Sequence, residues 1–86
     1  MATVTIRYWA AAKQAAGVAE ERISADTLGD ALTAALAGRD GAVGLRAVLA
    51  RSSFLVDGAP VGSRAPDSVL LAESAVVEVL PPFAGG

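Results

Sequence analysis

The sequence contains no cysteine and no histidine among its 86 residues. The absence of cysteine excludes disulfides and thiolate chemistry, and the absence of histidine excludes imidazole acid–base catalysis. Together the two absences remove the commonest zinc ligands, so we expect no metal site. Since the side chains that most enzymes use for catalysis are missing, the chain is not expected to be an enzyme on its own.

Runs of basic residues and long apolar segments are also lacking. The net charge is −2, and the seven basic residues are scattered along the chain, which disfavours a nucleic-acid surface. No apolar stretch approaches the roughly 20 residues that a membrane span needs. The first residues enter a strand pattern without a charged-then-apolar leader. We therefore expect no nucleic-acid partner, no membrane partner and a cytoplasmic location.

The first quarter of the sequence has the pattern of two strands joined by a short helix. Residues 3–9 alternate between apolar and polar side chains, which predicts a strand. Residues 10–16 are rich in alanine and predict a short helical turn that Gly17 ends. Residues 18–24 predict a second strand, antiparallel to the first. The inner face of the first strand is expected to carry Val4, Ile6 and Tyr8.

Two apolar stripes with helical spacing follow. Asp26 or Thr27 can cap the first helix, because either side chain can accept a hydrogen bond from the first turn. Gly38 is expected to end this helix, and a shorter helix is expected after the glycine-rich joint 38–41. The stripes consist of Leu28, Leu32, Ala35 and Leu36 in the first helix, and of Leu45, Val48 and Leu49 in the second.

The last third of the sequence predicts further strands separated by turns. Residues 53–56 form a short apolar strand, and Asp57-Gly58 is a hairpin signal. The strand pattern resumes briefly at Val61, a loop covers residues 64–67, and residues 68–72 can close as a short turn or helix. Residues 75–80 form the last strand, which ends at Pro81-Pro82.

This order of elements predicts an α+β fold. A single crossover helix over a mixed sheet allows the first and last strands to lie parallel in the middle of the sheet. We therefore predict a β-grasp (ubiquitin-like) mixed sheet, packed against one main helix with short helical segments. This fold is expected to occupy residues 1–80 as a single domain.

The six residues 81–86 continue beyond the last predicted strand without any charge. Two prolines favour an extended exit from the sheet, and two final glycines can pass through a channel about one backbone wide. We therefore predict a flexible tail that places the Gly86 carboxylate at its end. The tail residues expected to bind a partner are Pro81, Pro82, Phe83, Ala84 and Gly85. Two terminal glycines can also be a frayed end, but the complete tail of residues 81–86 directly after the last strand favours a function.

A C-terminal carboxylate is ionised and unreactive at neutral pH. Activation by ATP converts it to an acyl-adenylate, and sulfide then converts the acyl group to a thiocarboxylate. A thiocarboxylate is a soft nucleophile that can donate its sulfur. None of these steps needs a side chain of the carrier, which agrees with a sequence lacking both cysteine and histidine.

Three motifs carry a resemblance to a known family over essentially the whole chain. They are Trp9-Ala10-Ala11-Ala12-Lys13-Gln14-Ala15-Ala16-Gly17, Thr27-Leu28-Gly29-Asp30-Ala31-Leu32 and Leu80-Pro81-Pro82-Phe83-Ala84-Gly85-Gly86. With these motifs the chain resembles the MoaD/ThiS family of sulfur carriers, and within that family the MoaD branch.

The resemblance implies that an E1-like, MoeB-type enzyme uses ATP to adenylate Gly86, with no cofactor bound permanently to the carrier. The thiocarboxylate tail would then enter the active site of a MoaE-like large subunit. The chain would act as the non-catalytic small subunit of a molybdopterin synthase heterotetramer, which passes sulfur to a pterin precursor in molybdenum-cofactor biosynthesis.

Two departures from the family pattern accompany the resemblance. The family often has Arg-Glu where this chain has Lys13-Gln14. A Gly-Asp-Glu turn commonly precedes the last strand, whereas this chain has Glu73-Ser74 before residue 75 and so lacks the glycine of a tight turn.

Other functions and roles stay open at this point. The chain could carry sulfur for thiazole or cysteine synthesis, or act as a ubiquitin-like binding module or protein modifier. Trp9 is either an interface anchor or part of the rim of the domain. Glu20 and Glu21 are expected to be solvated charges, and so are the arginines Arg39, Arg46 and Arg51.

Overall fold

The computed structural model describes residues 1–37, 39 and 43–82. The elements are β1 (Thr3–Tyr8), α1 (Ala10–Ala16), β2 (Glu20–Ser24), α2 (Leu28–Leu36), α3 (Val43–Arg51), β3 (Ser53–Val56), β4 (Ala59–Pro60), a 3₁₀ turn (Pro66–Ser68) and β5 (Val76–Leu80). Gly38, the rest of the predicted joint apart from Arg39, and tail residues 83–86 lie outside the described residues. The predicted division between residues 80 and 81 therefore stays a prediction.

The five strands form one mixed sheet in the order β2-β1-β5-β3-β4. Strands β1 and β5 are parallel neighbours in its middle, while β2 pairs with β1, and β3 with β5, in antiparallel fashion. This arrangement confirms the predicted α+β fold with parallel first and last strands. Among the described helices, none is long and apolar enough to cross a membrane.

The core lies between the sheet and the helices. The inner face of β1 is buried as predicted, and Leu45 and Leu49 of α3 are buried as well. Helix α2 differs from its predicted stripe: Ala31 is fully buried, whereas Leu32 and Leu36 are only partly buried against the core. The small side chain of Ala31 allows the helix axis to lie close to the sheet, and the two leucines pack at its margin.

Helix α2 begins at a cap supplied by Thr27, whose Oγ1 accepts a hydrogen bond from the Asp30 backbone N–H at 3.0 Å. Asp26, the other predicted cap, instead accepts a hydrogen bond from the Ala2 N–H. A Cβ atom at Gly29 would overlap the carboxylate of Asp67. Glycine at this position therefore lets a negative charge approach the first turn of the helix, where the helix dipole favours it.

Turns agree with the prediction where their residues have strong backbone preferences. Gly17 ends α1 with φ 82°, and Asp57-Gly58 joins β3 to β4 with φ of 50° and 83°. The short turn predicted for residues 68–72 lies instead at Pro66–Ser68, within the predicted loop. Proline favours the first position of a helical turn, which explains why the turn begins at Pro66. Leu70, expected in a turn or helix, forms an isolated bridge to Thr27.

Ser74 occupies the turn before β5 with a left-handed backbone, φ 67°. A non-glycine residue in this region is disfavoured, by roughly 1–2 kcal/mol where its Cβ is crowded. The Ser74 N–H donates to the Thr3 carbonyl oxygen at 2.8 Å, a bond that a glycine would retain. The turn therefore keeps a conformation suited to glycine although glycine is absent.

We expect Ser74→Gly to stabilise the protein by about 1 kcal/mol, because glycine adopts this backbone conformation without strain. Urea denaturation would measure the gain in the free energy of unfolding. Ser63→Gly is the matched control, since Ser63 is exposed and does not have a positive φ. Equal effects of the two substitutions would refute strain at Ser74.

Candidate functional site

The tail starts at the end of a central strand. Strand β5 ends at Leu80, between β1 on one side and β3 on the other. Pro81 is half-buried and Pro82 is exposed. Phe83, Ala84, Gly85 and Gly86, which were predicted as site residues, lie outside the described residues. The chain therefore leaves the middle of the sheet at Pro81-Pro82.

The base of the tail is firmly anchored. Val77 and Val79 are fully buried on the inner face of β5. The Val79 carbonyl oxygen accepts a hydrogen bond from the Trp9 N–H at 3.3 Å, so β1 and β5 stay paired up to the point where the tail begins. Because parallel strands end at the same edge of a sheet, Trp9 and the start of the tail lie at one edge.

A solvent-open groove lies at this edge, and we call it the Trp9 groove. It consists of two adjoining depressions that share Trp9, Lys13 and Ala19; Arg7 lines one of them and Val18 the other, and no residue of β5 or of Pro81-Pro82 lines either. Trp9 is 47% exposed. Tryptophan is usually well buried, so its exposure beside the tail is a distinctive feature of the surface.

A polar cluster lies beneath the surface near the groove. The Tyr8 hydroxyl donates to Glu21 Oε2 at 2.5 Å, and Arg39 Nη2 donates to the same oxygen at 2.6 Å. The Arg39 guanidinium also stands 5.9 Å from the centre of the Tyr8 ring. The expectation that Glu21 and Arg39 are solvated charges is therefore wrong, because each has its partners within the fold.

Arg39 also binds two backbone carbonyls at helix ends. Its Nε donates to the Ala16 oxygen at 3.3 Å, and its Nη1 donates to the Ala35 oxygen. The side chain thereby joins the last turns of α1 and α2 to the carboxylate of β2. Glu21 Oε2 accepts two strong hydrogen bonds, one of them charge-assisted, so the cluster supports the structure of the domain.

Burial, together with the hydrogen bond to Glu21 and the negative charge of that carboxylate, raises the pKa of the Tyr8 phenol above its ordinary value, although Arg39 lowers it in part. An unfolded tyrosine releases its proton near pH 10, whereas folded Tyr8 keeps it. Above that pH, the unfolded chain binds fewer protons than the folded one, so stability falls as the pH rises.

We expect the free energy of unfolding to decrease above about pH 10, with a slope approaching 1.4 kcal/mol per pH unit. Tyr8 is the sole tyrosine, so phenolate absorbance reports on it alone. In a titration, this absorbance should appear together with unfolding, as followed by circular dichroism. Ionisation of Tyr8 near pH 10 in a protein that stays folded would contradict the expectation.

The remaining charged residues of interest lie on the surface. Arg7 and Glu20 form an exposed ion pair at 3.5 Å, and Arg46 and Arg51 are exposed. Within residues 1–37, 39 and 43–82, no three histidine, cysteine, aspartate or glutamate side chains come together as a metal site.

The five-stranded sheet, its covering helices and the tail base at the end of the central strand define a ubiquitin-like β-grasp protein. No family model matches the sequence, and no curated protein matches it. Several solved structures do match.

Small archaeal modifier protein 1 from Methanosarcina acetivorans has a TM-score of 0.81 and 24% identity, over 100% of this chain and 98% of that chain. The Haloferax volcanii protein of the same name has a TM-score of 0.74 and 26% identity, over 98% and 99%.

Subunit 1 of molybdopterin-converting factor also matches. The structure of the Helicobacter pylori complex of subunits 1 and 2 has a TM-score of 0.68 and 23% identity, over 98% of this chain and 99% of that chain. These likenesses confirm the β-grasp fold. They also confirm, at the level of the fold, the resemblance to MoaD-type proteins, and add the archaeal modifiers, whose TM-scores are higher than that of subunit 1.

Proposed function

We propose that this chain is a sulfur carrier and the small subunit of a molybdopterin synthase, with the Gly86 carboxylate as its reacting group. One observation carries the proposal: the central strand β5 ends at Leu80, directly before Pro81-Pro82, and the sequence continues from there to Gly85-Gly86. The likeness to subunit 1 of molybdopterin-converting factor supports it.

The proposed chemistry has two activation steps. The Gly86 carboxylate attacks the α-phosphate of ATP in an E1-like, MoeB-type enzyme, which forms the acyl-adenylate and releases pyrophosphate. A sulfide donor then attacks the acyl carbon and expels AMP, leaving a thiocarboxylate. The chain itself supplies only the carboxylate and an unhindered backbone, because Gly85 and Gly86 have no Cβ.

The proposed acceptor complex contains a MoaE-like large subunit. The matched Helicobacter pylori structure is a complex of subunits 1 and 2, which makes a second subunit the natural partner to propose. Residues 81–85 would lie in a channel of that subunit and bring the sulfur of Gly86 to the pterin precursor. The catalytic side chains would belong to the large subunit.

A ubiquitin-like modifier is the second candidate. Its support is the match to small archaeal modifier proteins, whose TM-scores and identities equal or exceed those of subunit 1. Both functions need an activated Gly86. They diverge at the next nucleophile, which is sulfide for the carrier and a lysine amine of another protein for the modifier.

The test is the intact mass of the chain after incubation with an E1-like enzyme, ATP and a sulfide source. The carrier gains the mass of sulfur for oxygen, and fragmentation must place the change on Gly86, because oxidation of Met1 gives a similar mass. An unmodified carboxylate, with an enzyme that activates another carrier in parallel, would overturn the proposal. Conjugates to lysines of added proteins would favour the modifier.

A further inference from the structure

Helix α2 leaves part of its apolar stripe uncovered. Leu32 and Leu36 were expected in the core but are only partly buried, and so is Phe54 of β3. These three side chains line one groove, which we call the α2–α3 groove. Its lining also includes Leu49, Ser52 and Arg46. An apolar groove that stays open to solvent is typical of a site that another segment occupies.

The α2–α3 groove lies beside the point where the tail begins. Strands β3 and β5 are antiparallel, and Ser53 is the partner of Leu80. The same register continued by one position places Ser52, which lines the groove, beside Pro81. Because neighbouring strands are about 5 Å apart, the tail starts close to one wall of the groove.

The tail contains one side chain that suits this groove. Phe83 is the only aromatic residue after β5, and it follows Pro81 by two positions. Two residues of extended chain span at most about 7 Å, which is enough to bring Phe83 from the end of the sheet to the groove. An aromatic side chain buries about 150–250 Å² of surface, and its transfer from water to an apolar site is favourable.

The end of the tail and the groove carry opposite charges. Arg46 is exposed and has no ion pair with any residue that the structure describes. It precedes Arg51, the last residue of α3, by five positions, or about 8 Å along the helix. Gly86 follows Phe83 by three residues, which span at most about 11 Å. The Gly86 carboxylate can therefore reach the Arg46 guanidinium while Phe83 lies in the groove.

We propose that the tail of the free chain docks on its own domain, with Phe83 in the α2–α3 groove and the Gly86 carboxylate paired with Arg46. Phe83 provides most of the binding, because an exposed ion pair contributes little, and Arg46 fixes the direction of the tail. The tail then has a preferred resting position. An enzyme that acts on Gly86 binds only the released tail, so docking lowers its apparent affinity in proportion to the fraction released. This holds for a sulfur carrier and for a modifier alike.

The first test observes the tail in the free chain by NMR. The chain has two phenylalanines, so ring-labelled phenylalanine gives signals from Phe54 and Phe83 alone, and a Phe83→Leu sample assigns them. We expect nuclear Overhauser effects between the Phe83 ring and the methyl groups of Leu36. A Phe83 ring that has the chemical shifts of a short peptide and none of these contacts would overturn the proposal.

The second test removes residues 83–86. The described helices and strands end at Leu80, so the shortened chain should keep its fold, which circular dichroism would check. The methyl resonances of Leu32 and Leu36 should shift, and Phe83→Ser in the complete chain should shift them in the same direction. Those of Leu70, which is exposed and lies outside the groove, should not move. Unchanged Leu32 and Leu36 resonances in the shortened chain would refute docking.

The third test concerns the ion pair. Arg46→Ala should lower the ratio of docked to released tail by about two- to threefold. Arg51→Ala is the matched control, because Arg51 is also exposed on α3 but does not line the groove, and it should leave the ratio unchanged. Equal ratios in the two variants would contradict the pairing of Gly86 with Arg46.

Dilution distinguishes the chain's own tail from the tail of a second copy. Docking within one chain predicts that the Leu32 and Leu36 shifts do not depend on protein concentration. Shifts that disappear on dilution would show that the groove takes the tail of another copy and would overturn the proposal. All these measurements use the free chain without an enzyme, so their outcome is independent of the sulfur-loading test.

Discussion

Removal of Gly86 is expected to abolish sulfur loading and sulfur transfer while leaving the fold intact. The variant still carries a terminal carboxylate, now on Gly85, but that group stops one residue, or roughly 3.5 Å, short of its position in the activating enzyme. A displacement of even 1 Å at a reacting centre can reduce a rate by about 10²-fold. Intact mass after the activation reaction would measure the loading, and circular dichroism would measure the fold.

Addition of one residue after Gly86 should have the same effect for the opposite reason. The Gly86 carbonyl then belongs to a peptide bond and has no carboxylate oxygen to attack the α-phosphate, and the new terminal carboxylate lies one residue beyond the reacting position. Addition of one residue before Met1 is the matched control, because it changes the length and mass of the chain equally but leaves the tail unchanged.

Gly85→Ala should reduce loading less severely, since it adds a single methyl group inside the proposed channel. Gly44→Ala is its control: a Cβ at Gly44 in α3 meets no atom within 4 Å. Sulfur loading by the shortened or extended chain at the rate of the unchanged chain would exclude Gly86 as the reacting residue.

The sequence predicts the elements of the fold whose causes are local. Alternation places Val4, Ile6 and Tyr8 on the buried face of β1, and all three are buried. Backbone preferences place the turn at Asp57-Gly58 and the end of α1 at Gly17. The parallel centre of the sheet follows from a single crossover helix, so topology is also predictable here.

Features that depend on packing between distant segments could not be predicted. Ala31 is fully buried where Leu32 was expected, because the distance between α2 and the sheet is set by the whole core. Glu21 and Arg39 are 18 positions apart, and no local pattern indicates that they share an ion pair. Tyr8 was expected only as an apolar core residue, yet its hydroxyl completes the cluster.

The candidate site also has one part that could be predicted from local sequence and one part that could not. The tail could be identified from sequence, since two prolines and two glycines after a strand have direct consequences for backbone conformation and access. The Trp9 groove could not, because its lining comes from β1, α1 and the segment before β2. Sequence alone leaves Trp9 open between an interface anchor and a rim residue; in the structure it is 47% exposed.

Among the arginines Arg39, Arg46 and Arg51, substitution of Arg39 by alanine should lower the free energy of unfolding the most. Arg39→Ala removes a charge-assisted hydrogen bond to Glu21 and leaves two carbonyls at helix ends without this donor. The Glu21 side chain is only 27% exposed, so its charge is incompletely solvated once Arg39 is gone. Hydrogen bonds to charged groups contribute about 1.5–3 kcal/mol, and we expect a loss of about 2–3 kcal/mol.

A loss of this size is a large part of the stability of so small a domain, for which about 4–13 kcal/mol is typical. It should lower the Tm by roughly 10–20 °C. Arg46→Ala is the matched control and should change stability by less than about 0.5 kcal/mol, because Arg46 is exposed and has no ion pair within the described residues. Arg39→Lys should lie between them, since an ammonium keeps the charge but lacks the planar fork that reaches several acceptors.

A double-mutant cycle with Glu21→Gln would show whether the two charges act together. We expect a coupling energy of about 1–2 kcal/mol between positions 21 and 39, within the range for residues in one hydrogen-bond network. Equal stabilities of Arg39→Ala and Arg46→Ala would refute the role of the cluster.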